Sequence, residues 1–149
     1  RSIINPPQRP AARIMDGSIM EGLHCFSAQD CSSTGLTTPV AEYHHSRGCA
    51  IIGDHVYRGS RYVRMQSIYF YADYCTGQIW GLRRQGETWQ NTLLFDAPFQ
   101  ISSIGEGEES NLYVADYTYG SITMLTDPSW VPTVTPASTS GLSQSNDQE

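Results

Sequence analysis

The sequence predicts an all-β protein built from antiparallel, four-stranded units. Short runs rich in β-branched and aromatic residues alternate with turn residues, as expected for strands, and no segment keeps the 3.6-residue period of an amphipathic helix. Two stretches also repeat one another: "YFYADYCTGQIWGL" at 69–82 and "LYVADYTYGSITML" at 112–125. Overlaid without a gap, they are identical at six of fourteen positions, at an offset of 43 residues.

Composition excludes several classes of function. With 149 residues, the chain fits one ordinary domain or a piece of a larger one. A net charge of −6 with only nine Arg and no Lys argues against nucleic-acid binding, which needs clustered cations. No apolar run reaches the eighteen or so residues of a membrane span. The four cysteines, among many Tyr, Gly, Ser and Thr, favour an oxidising compartment, so we expect a secreted or extracellular protein, or a periplasmic one if bacterial.

The lead at residues 1–24 contains Pro6, Pro7 and Pro10 and shows no clear period, which predicts an irregular segment. A turn-rich stretch follows, in which Cys25 and Cys31 close a short loop if they pair. Four cysteines allow three pairings.

The first unit shows four strand signals. Gly53-Asp54 indicates a tight turn or a β-bulge inside the first strand, while Thr76-Gly77 and Gln85-Gly86 indicate turns between later strands. The predicted strands lie in "CAIIGDHVYR" (49–58), "SIYFYADY" (67–74), "QIWGLR" (78–83) and "ETWQNTLLFD" (87–96).

The second unit repeats this cycle and stops short. Its strand signals are "QISSIGEG" (100–107), "NLYVADY" (111–117) and "SITMLT" (121–126), with a turn at Tyr119-Gly120. Residues 127–149 are rich in Pro, Ser and Thr, which predicts a flexible tail or linker.

Four strands that recur with a period of about 43 residues are typical of β-propeller blades. The alternative is two similar hairpins of a β-sandwich, but the match covers a strand, its turn and the next strand in register, which favours the repeat. About three such units are normally needed for stability. We therefore expect residues 25–126 to form the last two blades, a partial propeller, of a larger protein.

Three segments, "PVAEYHHSRGCAIIGDHVYRG" (39–59), "YFYADYCTGQIWGL" (69–82) and "ISSIGEGEESNLYVADYTYGSI" (101–122), together resemble the C-terminal blades of the glucose/sorbosone dehydrogenase family. This family of six-bladed propellers includes soluble sugar dehydrogenases that depend on pyrroloquinoline quinone (PQQ). Animal hedgehog-interacting proteins carry a similar propeller without known catalysis. The resemblance implies pairing of Cys49 with Cys75, and hence of Cys25 with Cys31. It also makes His45 the counterpart of a family histidine, which we interpret as a structural hydrogen-bonding residue in preference to a catalytic one.

The chain departs from the family where the cofactor would bind. PQQ is a tricarboxylate, and the glucose dehydrogenases that bind it place arginines just before the strand that corresponds to "ISSIG". Here those positions are Phe99, Gln100 and Ile101, and nothing in 96–104 is cationic. The family's catalytic base lies in an early blade, outside this sequence. The resemblance thus implies PQQ and calcium in the parent protein and no cofactor for this chain alone.

Other residues have two interpretations each. Asp73 and Asp116 stand at equivalent positions in the repeat, where an Asp caps the backbone of the following turn or contacts a ligand in a cleft. The glutamates of "GEGEES" (105–110) form either a calcium site or a solvated turn. A zinc site from His24, Cys25, Cys31, His44 and His45 is disfavoured by the C-x₅-C spacing. The aromatic residues either line a sugar-binding surface or pack in the core: Tyr43, Tyr57, Tyr74, Trp80 and Tyr117.

The sequence therefore predicts a parent that oxidises a sugar or related alcohol with PQQ, in which this chain is scaffold and packs against the remaining blades. The alternative is a non-catalytic extracellular binding propeller, similar to the hedgehog-interacting proteins, with a carbohydrate ligand and a flexible C-terminal stalk. A third interpretation makes residues 1–149 an inactive remnant that associates through an exposed blade face and strand edge.

Overall fold

The computed structural model describes residues 2–4 and 19–129. The predicted flexible tail lies outside these residues from position 130 onward, as does most of the lead. In chain order the strands are β1 (Ser2–Ile4), β2 (Met20–Glu21), β3 (His24–Cys25), β4 (Ala41–Tyr43), β5 (Ile51–Val56), β6 (Tyr69–Asp73), β7 (Gln78–Gln85), β8 (Thr88–Asp96), β9 (Ile101–Glu106), β10 (Leu112–Asp116) and β11 (Ser121–Met124). The described residues contain no α-helix, only the 3₁₀ turns His45–Arg47 and Val63–Met65.

Strands β5 to β8 form one four-stranded antiparallel sheet in which each strand pairs with the next along the chain. The register shifts between Gly53 and His55, so the Gly53-Asp54 signal is a β-bulge inside β5. Gly53 has a φ of +119°, a backbone conformation that residues with a Cβ rarely adopt. The turn between β7 and β8 likewise has a left-handed residue, Gly86, with a φ of +59°.

Strands β9 to β11 repeat this meander as a three-stranded antiparallel sheet, with β10 in the centre. The predicted all-β class and antiparallel pairing are therefore confirmed, and no sheet of the described residues closes on itself. Six of the seven strands of the two units fall within the predicted segments, and β7 extends two residues beyond its segment, to Gln85. β6 and β10 each end one residue early, where Asp73 and Asp116 begin a turn.

The expectation of an irregular lead is wrong at both of its described ends. Ser2–Ile4 pairs with Ala41–Tyr43, and Met20–Glu21 pairs with His24–Cys25. Such two- and three-residue strands are too short to show a period of two in the sequence. β1 is held by pairing with a distant segment and by Ile4, which is buried in the core.

The core consists of two clusters on opposite faces of the four-stranded sheet. Phe70 and Ala72 of β6 belong to the cluster shared with the three-stranded sheet. Tyr69 and Tyr71 belong to the other cluster, which also contains Ile4 of β1. Because side chains alternate across a strand, burial of both faces makes β6 an unbroken run of buried residues. Among the described residues, no helix is long and apolar enough to cross a membrane.

Candidate functional site

Asp73 caps the turn between β6 and β7. Its Oδ1 accepts hydrogen bonds from the backbone N–H of Cys75 at 3.0 Å and of Thr76 at 2.9 Å, and from the Thr76 hydroxyl at 3.1 Å. The N–H of Gly77 donates to the carbonyl of Asp73 at 3.1 Å and closes the turn. This is the local arrangement by which an Asp side chain stabilises a turn that it precedes.

Asp116 makes the same arrangement between β10 and β11. Its Oδ1 accepts from the N–H of Thr118 at 2.8 Å and of Tyr119 at 3.0 Å, and the N–H of Gly120 donates to its carbonyl at 3.1 Å. The hydroxyl of Ser121 completes its shell by donating to Oδ2 at 3.2 Å. Both aspartates are buried and both bind the turn backbone, which is one of the two roles considered for them from the sequence.

The two capped turns lie side by side. Tyr74 and Tyr117, which directly follow the two aspartates, contact each other with ring centroids 5.7 Å apart. Their N–H groups also occupy equivalent places: Tyr74 donates to the carbonyl of Ala50, and Tyr117 to that of Gln100. The sequence repeat is therefore matched by a repeat of hydrogen bonds at one end of the paired sheets.

Asp73 differs from Asp116 by a second, long-range set of donors. Its Oδ2 accepts from the hydroxyl of Tyr43 at 2.5 Å and from the N–H groups of Cys49 at 2.8 Å and Ala50 at 3.2 Å. Gly48 packs directly on this carboxyl, where a Cβ would lie 2.3 Å from Oδ2. The carboxylate thus joins β4, the start of β5 and the turn after β6.

These donors decide the charge of Asp73. Burial by itself would raise the pKa of the carboxyl, but the hydrogen bonds from Tyr43, Thr76 and Cys49 favour the ionised form and together hold its pKa below the usual value of 3.8. A carboxylate offers about four lone-pair positions, and here six donors share them. Asp73 is therefore a structural anion whose oxygens are fully used, and it is not a free general base.

Both disulfides have the pairing that the family resemblance implies. Cys25 bonds to Cys31, and Cys49 bonds to Cys75. The second disulfide joins two residues whose N–H groups both donate to Asp73. Among the described residues, the one cluster with metal-ligand spacing is Cys49, Asp73 and Cys75. The two sulfurs of this cluster form a disulfide, so it offers no thiolate to a metal. The oxygens of its carboxylate already accept six hydrogen bonds.

Most residues of the disfavoured zinc site are engaged in other interactions. Cys25 and Cys31 form a disulfide, and His24 Nε2 lies 2.9 Å from Glu42 Oε1. His44 caps the 3₁₀ turn, with its Nδ1 accepting from the N–H of Ser46 at 3.2 Å. His45 is exposed on that turn, and the described part of the chain provides no hydrogen-bond partner for its side chain. The capping role in this loop therefore belongs to His44.

The three glutamates of "GEGEES" are exposed: Glu106 ends β9, and Glu108 and Glu109 lie in the connection to β10. Glu109 accepts a long hydrogen bond of 3.4 Å from Asn111 Nδ2, and the N–H of Ser110 donates to the carbonyl of Gly107. These contacts describe a tight, solvated connection within the described residues.

A cleft of about 460 Å³ opens beside Asp73, on the face of the four-stranded sheet that points away from the three-stranded sheet. Trp80 and Tyr71 stack in it with ring planes 10° apart and centroids at 6.4 Å. Its lining mixes aromatic, apolar and polar side chains: Ile4, Glu42, Tyr43, Arg47, Tyr71, Asp73, Gln78, Trp80, Asn91 and Leu93.

The Tyr71 hydroxyl donates to Asn91 Oδ1 at 2.9 Å. Burial raises the pKa of Tyr71 to about 12, an effect that the Asn91 contact only partly offsets. The phenol therefore stays neutral at physiological pH. Together with the saturated Asp73, this gives the cleft polar groups suited to hydrogen bonding around an aromatic pair, with neither residue in a state suited to proton transfer.

Of the aromatic residues considered from the sequence, Tyr43 and Trp80 line this cleft, whereas Tyr57 is buried in the core and Tyr74 contacts Tyr117. Sequence reasoning missed Asn91 and Arg47. Asn91 lies in an exposed strand with no distinguishing pattern. Arg47, three residues after His44, carried no signal apart from its place in a polar turn.

No protein-family model matches this sequence, and no solved structure matches the chain. The likeness to the sugar dehydrogenases consequently rests on the residues quoted above.

Proposed function

We propose that this chain is a scaffold portion of a secreted β-propeller of the glucose/sorbosone dehydrogenase type, contributing the last two blades of the parent. The observation that carries the proposal is the paired turn: Asp73 and Asp116 bind the same backbone positions, and the residues after them, Tyr74 and Tyr117, touch. Successive blades of a propeller repeat one meander and pack face to face, and packing of that kind would bring the two tyrosines into contact.

The packing between the sheets supports the proposal. The first strands of the two meanders lie together, since a Cβ on Gly53 of β5 would lie 3.2 Å from Ile104 Cδ1 of β9. First strands that approach each other while the later strands spread apart are expected of blades arranged around an axis. The outward faces carry apolar side chains that an adjacent blade would cover: Leu93 on one sheet is 42% exposed, and Ile122 on the other is 74% exposed.

The parent would oxidise a sugar or a related alcohol with PQQ. The segment of this chain that corresponds to the family's PQQ arginines does not fit PQQ, because 96–104 contains no cationic side chain for its carboxylates. Binding of PQQ and proton abstraction therefore belong to blades outside this sequence, and residues 49–125 supply rigid packing surface. The two disulfides agree with an oxidising, extracellular setting.

The experiment starts from the protein as its source makes it. Its intact mass establishes whether further blades exist, and the purified protein is then supplied with PQQ, calcium and an artificial electron acceptor against a panel of aldoses. Turnover that depends on PQQ supports the dehydrogenase parent. A protein of the mass of residues 1–149, or one without PQQ-dependent turnover, would contradict it.

The scaffold role has a separate readout. Hydroxyl-radical labelling should modify Trp80 and Leu93 in the isolated chain and spare them in the parent, where a neighbouring blade covers this face. Tyr119, which is 75% exposed on a turn, is the matched control and should be labelled in both. Equal labelling of Trp80 and Leu93 in the two proteins would show that no blade packs there.

The cleft favours a second candidate, a non-catalytic binding propeller that recognises carbohydrate. An aromatic pair edged by Asn91, Gln78 and Arg47 offers stacking and hydrogen bonds to a polyhydroxylated ring. Titration with neutral oligosaccharides, followed by the indole N–H resonance of Trp80, tests this candidate. A saturable shift that is lost in Asn91→Ala and kept in Asn111→Ala supports it, whereas an unchanged Trp80 resonance contradicts it.

A further inference from the structure

Arg47 lines the cleft beside Asp73 and carries a positive charge into it. It ends the 3₁₀ turn that follows β4, and its N–H donates to the carbonyl of His44 at 2.8 Å, which fixes its backbone. Its side chain is exposed, and the guanidinium makes no hydrogen bond or ion pair with any described residue. An arginine has five N–H donors in a planar fork and keeps its charge at physiological pH. The donors of Arg47 are therefore available to a ligand.

The two carboxylates that line the same cleft are already engaged. Glu42 Oε2 accepts from the N–H of Leu23 at 2.7 Å, and Glu42 Oε1 lies 2.9 Å from His24 Nε2. The donors around Asp73 occupy both of its oxygens. Neither carboxylate forms an ion pair with Arg47 in the described part of the chain. A ligand with an anionic group can therefore supply the counter-ion that the cleft itself does not.

Trp80 offers a stacking surface in this cleft. Tyr71 is 1% exposed and Trp80 is half-buried, so a ligand reaches the stacked pair through Trp80. Asn91 Oδ1 accepts from the Tyr71 hydroxyl, which leaves the Asn91 Nδ2 to donate to a ligand. Gln78, two residues before Trp80 on β7, adds a second amide to the lining. An indole with amide groups beside it suits the C–H face and the hydroxyl groups of a pyranose ring.

The charges of the cleft limit the number of anionic groups on the ligand. Among the described residues that line it, Arg47 is the one cation, Glu42 and Asp73 are acidic, and the whole chain has a net charge of −6. A ligand with a carboxylate on every ring would be repelled by these charges. A ligand with a single carboxylate can place it on the guanidinium as a charge-assisted, bidentate pair and present neutral rings to the rest of the cleft.

We propose that the cleft binds an oligosaccharide that contains one uronic acid, with the carboxylate of that acid on Arg47 and a pyranose ring stacked on Trp80. Asn91 and Gln78 bind hydroxyl groups of the neutral rings. This inference rests on the second candidate function, carbohydrate recognition, and names its ligand class. Arg47 is the residue that determines specificity, because it distinguishes the acidic sugar from a neutral one of the same shape.

Three trisaccharides with the same backbone test the ligand class: a neutral one, one with a single terminal uronic acid, and one with uronic acid at all three rings. Each is titrated into the chain of residues 1–149 at about 0.15 M salt, where charges more than about 8 Å apart are largely screened. Binding is followed by the indole N–H resonance of Trp80. We expect the single acid to bind about tenfold or more tightly than the neutral sugar, and the triple acid to bind no more tightly than the single acid.

Two substitutions of exposed arginines assign the preference to one residue. Arg47→Gln keeps amide donors and removes the charge, so the single acid and the neutral sugar should bind with equal affinity. Arg84→Gln is the matched control. Arg84 lies on the same face of β7 as Trp80 but outside the cleft lining, with its Nη2 3.5 Å from Glu87 Oε2. This variant loses the same net charge and should keep the preference for the single acid.

The outcomes separate this inference from the function on which it rests. Equal affinities of the wild type for the neutral sugar and the single acid would overturn the inference and leave carbohydrate recognition standing. A preference that survives Arg47→Gln, or that Arg84→Gln abolishes equally, would overturn it too, as would affinity that rises with each added carboxylate. An unchanged Trp80 resonance with all three sugars would contradict carbohydrate recognition itself.

Discussion

The hydroxyl of Tyr43 donates a 2.5 Å hydrogen bond to Oδ2 of Asp73, thirty residues further along the chain. This bond links β4 to the turn after β6 and adds a tertiary contact to a side chain that already caps its own turn. In Asp116, the equivalent residue of the second unit, Oδ2 accepts a hydrogen bond from the nearby Ser121 hydroxyl. One repeated motif therefore has a local role in both units and a long-range role in only one of them.

Replacing the two aspartates should have unequal effects. In Asp73→Asn, one side of the carboxamide is an NH₂ group that faces three donors, so we expect a loss of unfolding free energy of about 3 kcal/mol or more. In Asp116→Asn, the amide oxygen keeps the two turn N–H groups and the NH₂ donates to the Ser121 hydroxyl, which limits the loss to about 1 kcal/mol. Urea denaturation of both variants measures the difference. Equal losses would show that the Oδ2 contacts of Asp73 add nothing.

The free energy of unfolding should decrease in acid, because Asp73 becomes protonated there. Its folded pKa lies below the usual 3.8, so between the two values the unfolded chain binds more protons than the folded chain. The contribution is present above about 3.8 and is lost as pH falls through the lower folded pKa. Tyr43→Phe removes a donor and should shrink this acid-dependent loss, as measured by urea denaturation across the acid range.

The hydroxyl of Ser129 also lowers the pKa of Asp127, so the acid experiment is best made in an Asp127→Asn background. An identical pH dependence with and without the Tyr43 hydroxyl in that background would contradict the assignment to Asp73.

The two disulfides should differ in their contribution to stability. Cys49 and Cys75 are 26 residues apart, and Cys25 and Cys31 are 6 apart. If the bonds act by restricting the unfolded chain, the longer loop contributes about 3.5 kcal/mol and the shorter about 2 kcal/mol. Paired Cys→Ala variants, compared by thermal and urea denaturation, test this order. A larger loss from the shorter loop would show that native-state contacts outweigh chain entropy.

Gly77 and Gly120 occupy equivalent turn positions, with φ values of +74° and +69°. A Cβ at Gly77 would lie 2.4 Å from the carbonyl oxygens of Ala97 and Phe99, whereas a Cβ at Gly120 meets nothing within 4 Å. Gly120→Ala should therefore cost only the left-handed conformation, about 1–2 kcal/mol. Gly77→Ala adds a backbone clash, and we expect a loss of about 4 kcal/mol or failure to fold.

Equal melting temperatures for the two alanine variants would mean that the connection at 97–99 moves aside without cost.

Sequence reasoning identified the strands of both units because the signals involved are local. β6 and β10 are marked by β-branched and aromatic runs, and the turns after Asp73 and Asp116 by a side chain that binds the backbone two and three residues on. The 43-residue repeat predicts that the two units resemble each other, since similar local sequences favour similar local hydrogen bonding.

The tertiary structure alone decided which distant residues meet. Nothing near Tyr43 in the sequence specifies Asp73, nothing near Arg64 specifies Ser129, sixty-five residues away, and nothing in Ser2–Ile4 specifies Ala41–Tyr43. The cleft around Trp80 and Asn91 depends on β7 and β8 lying in register beneath β1 and β4. Such contacts depend on how the sheets pack as a whole, because each one is formed by segments whose own local preferences are satisfied without it.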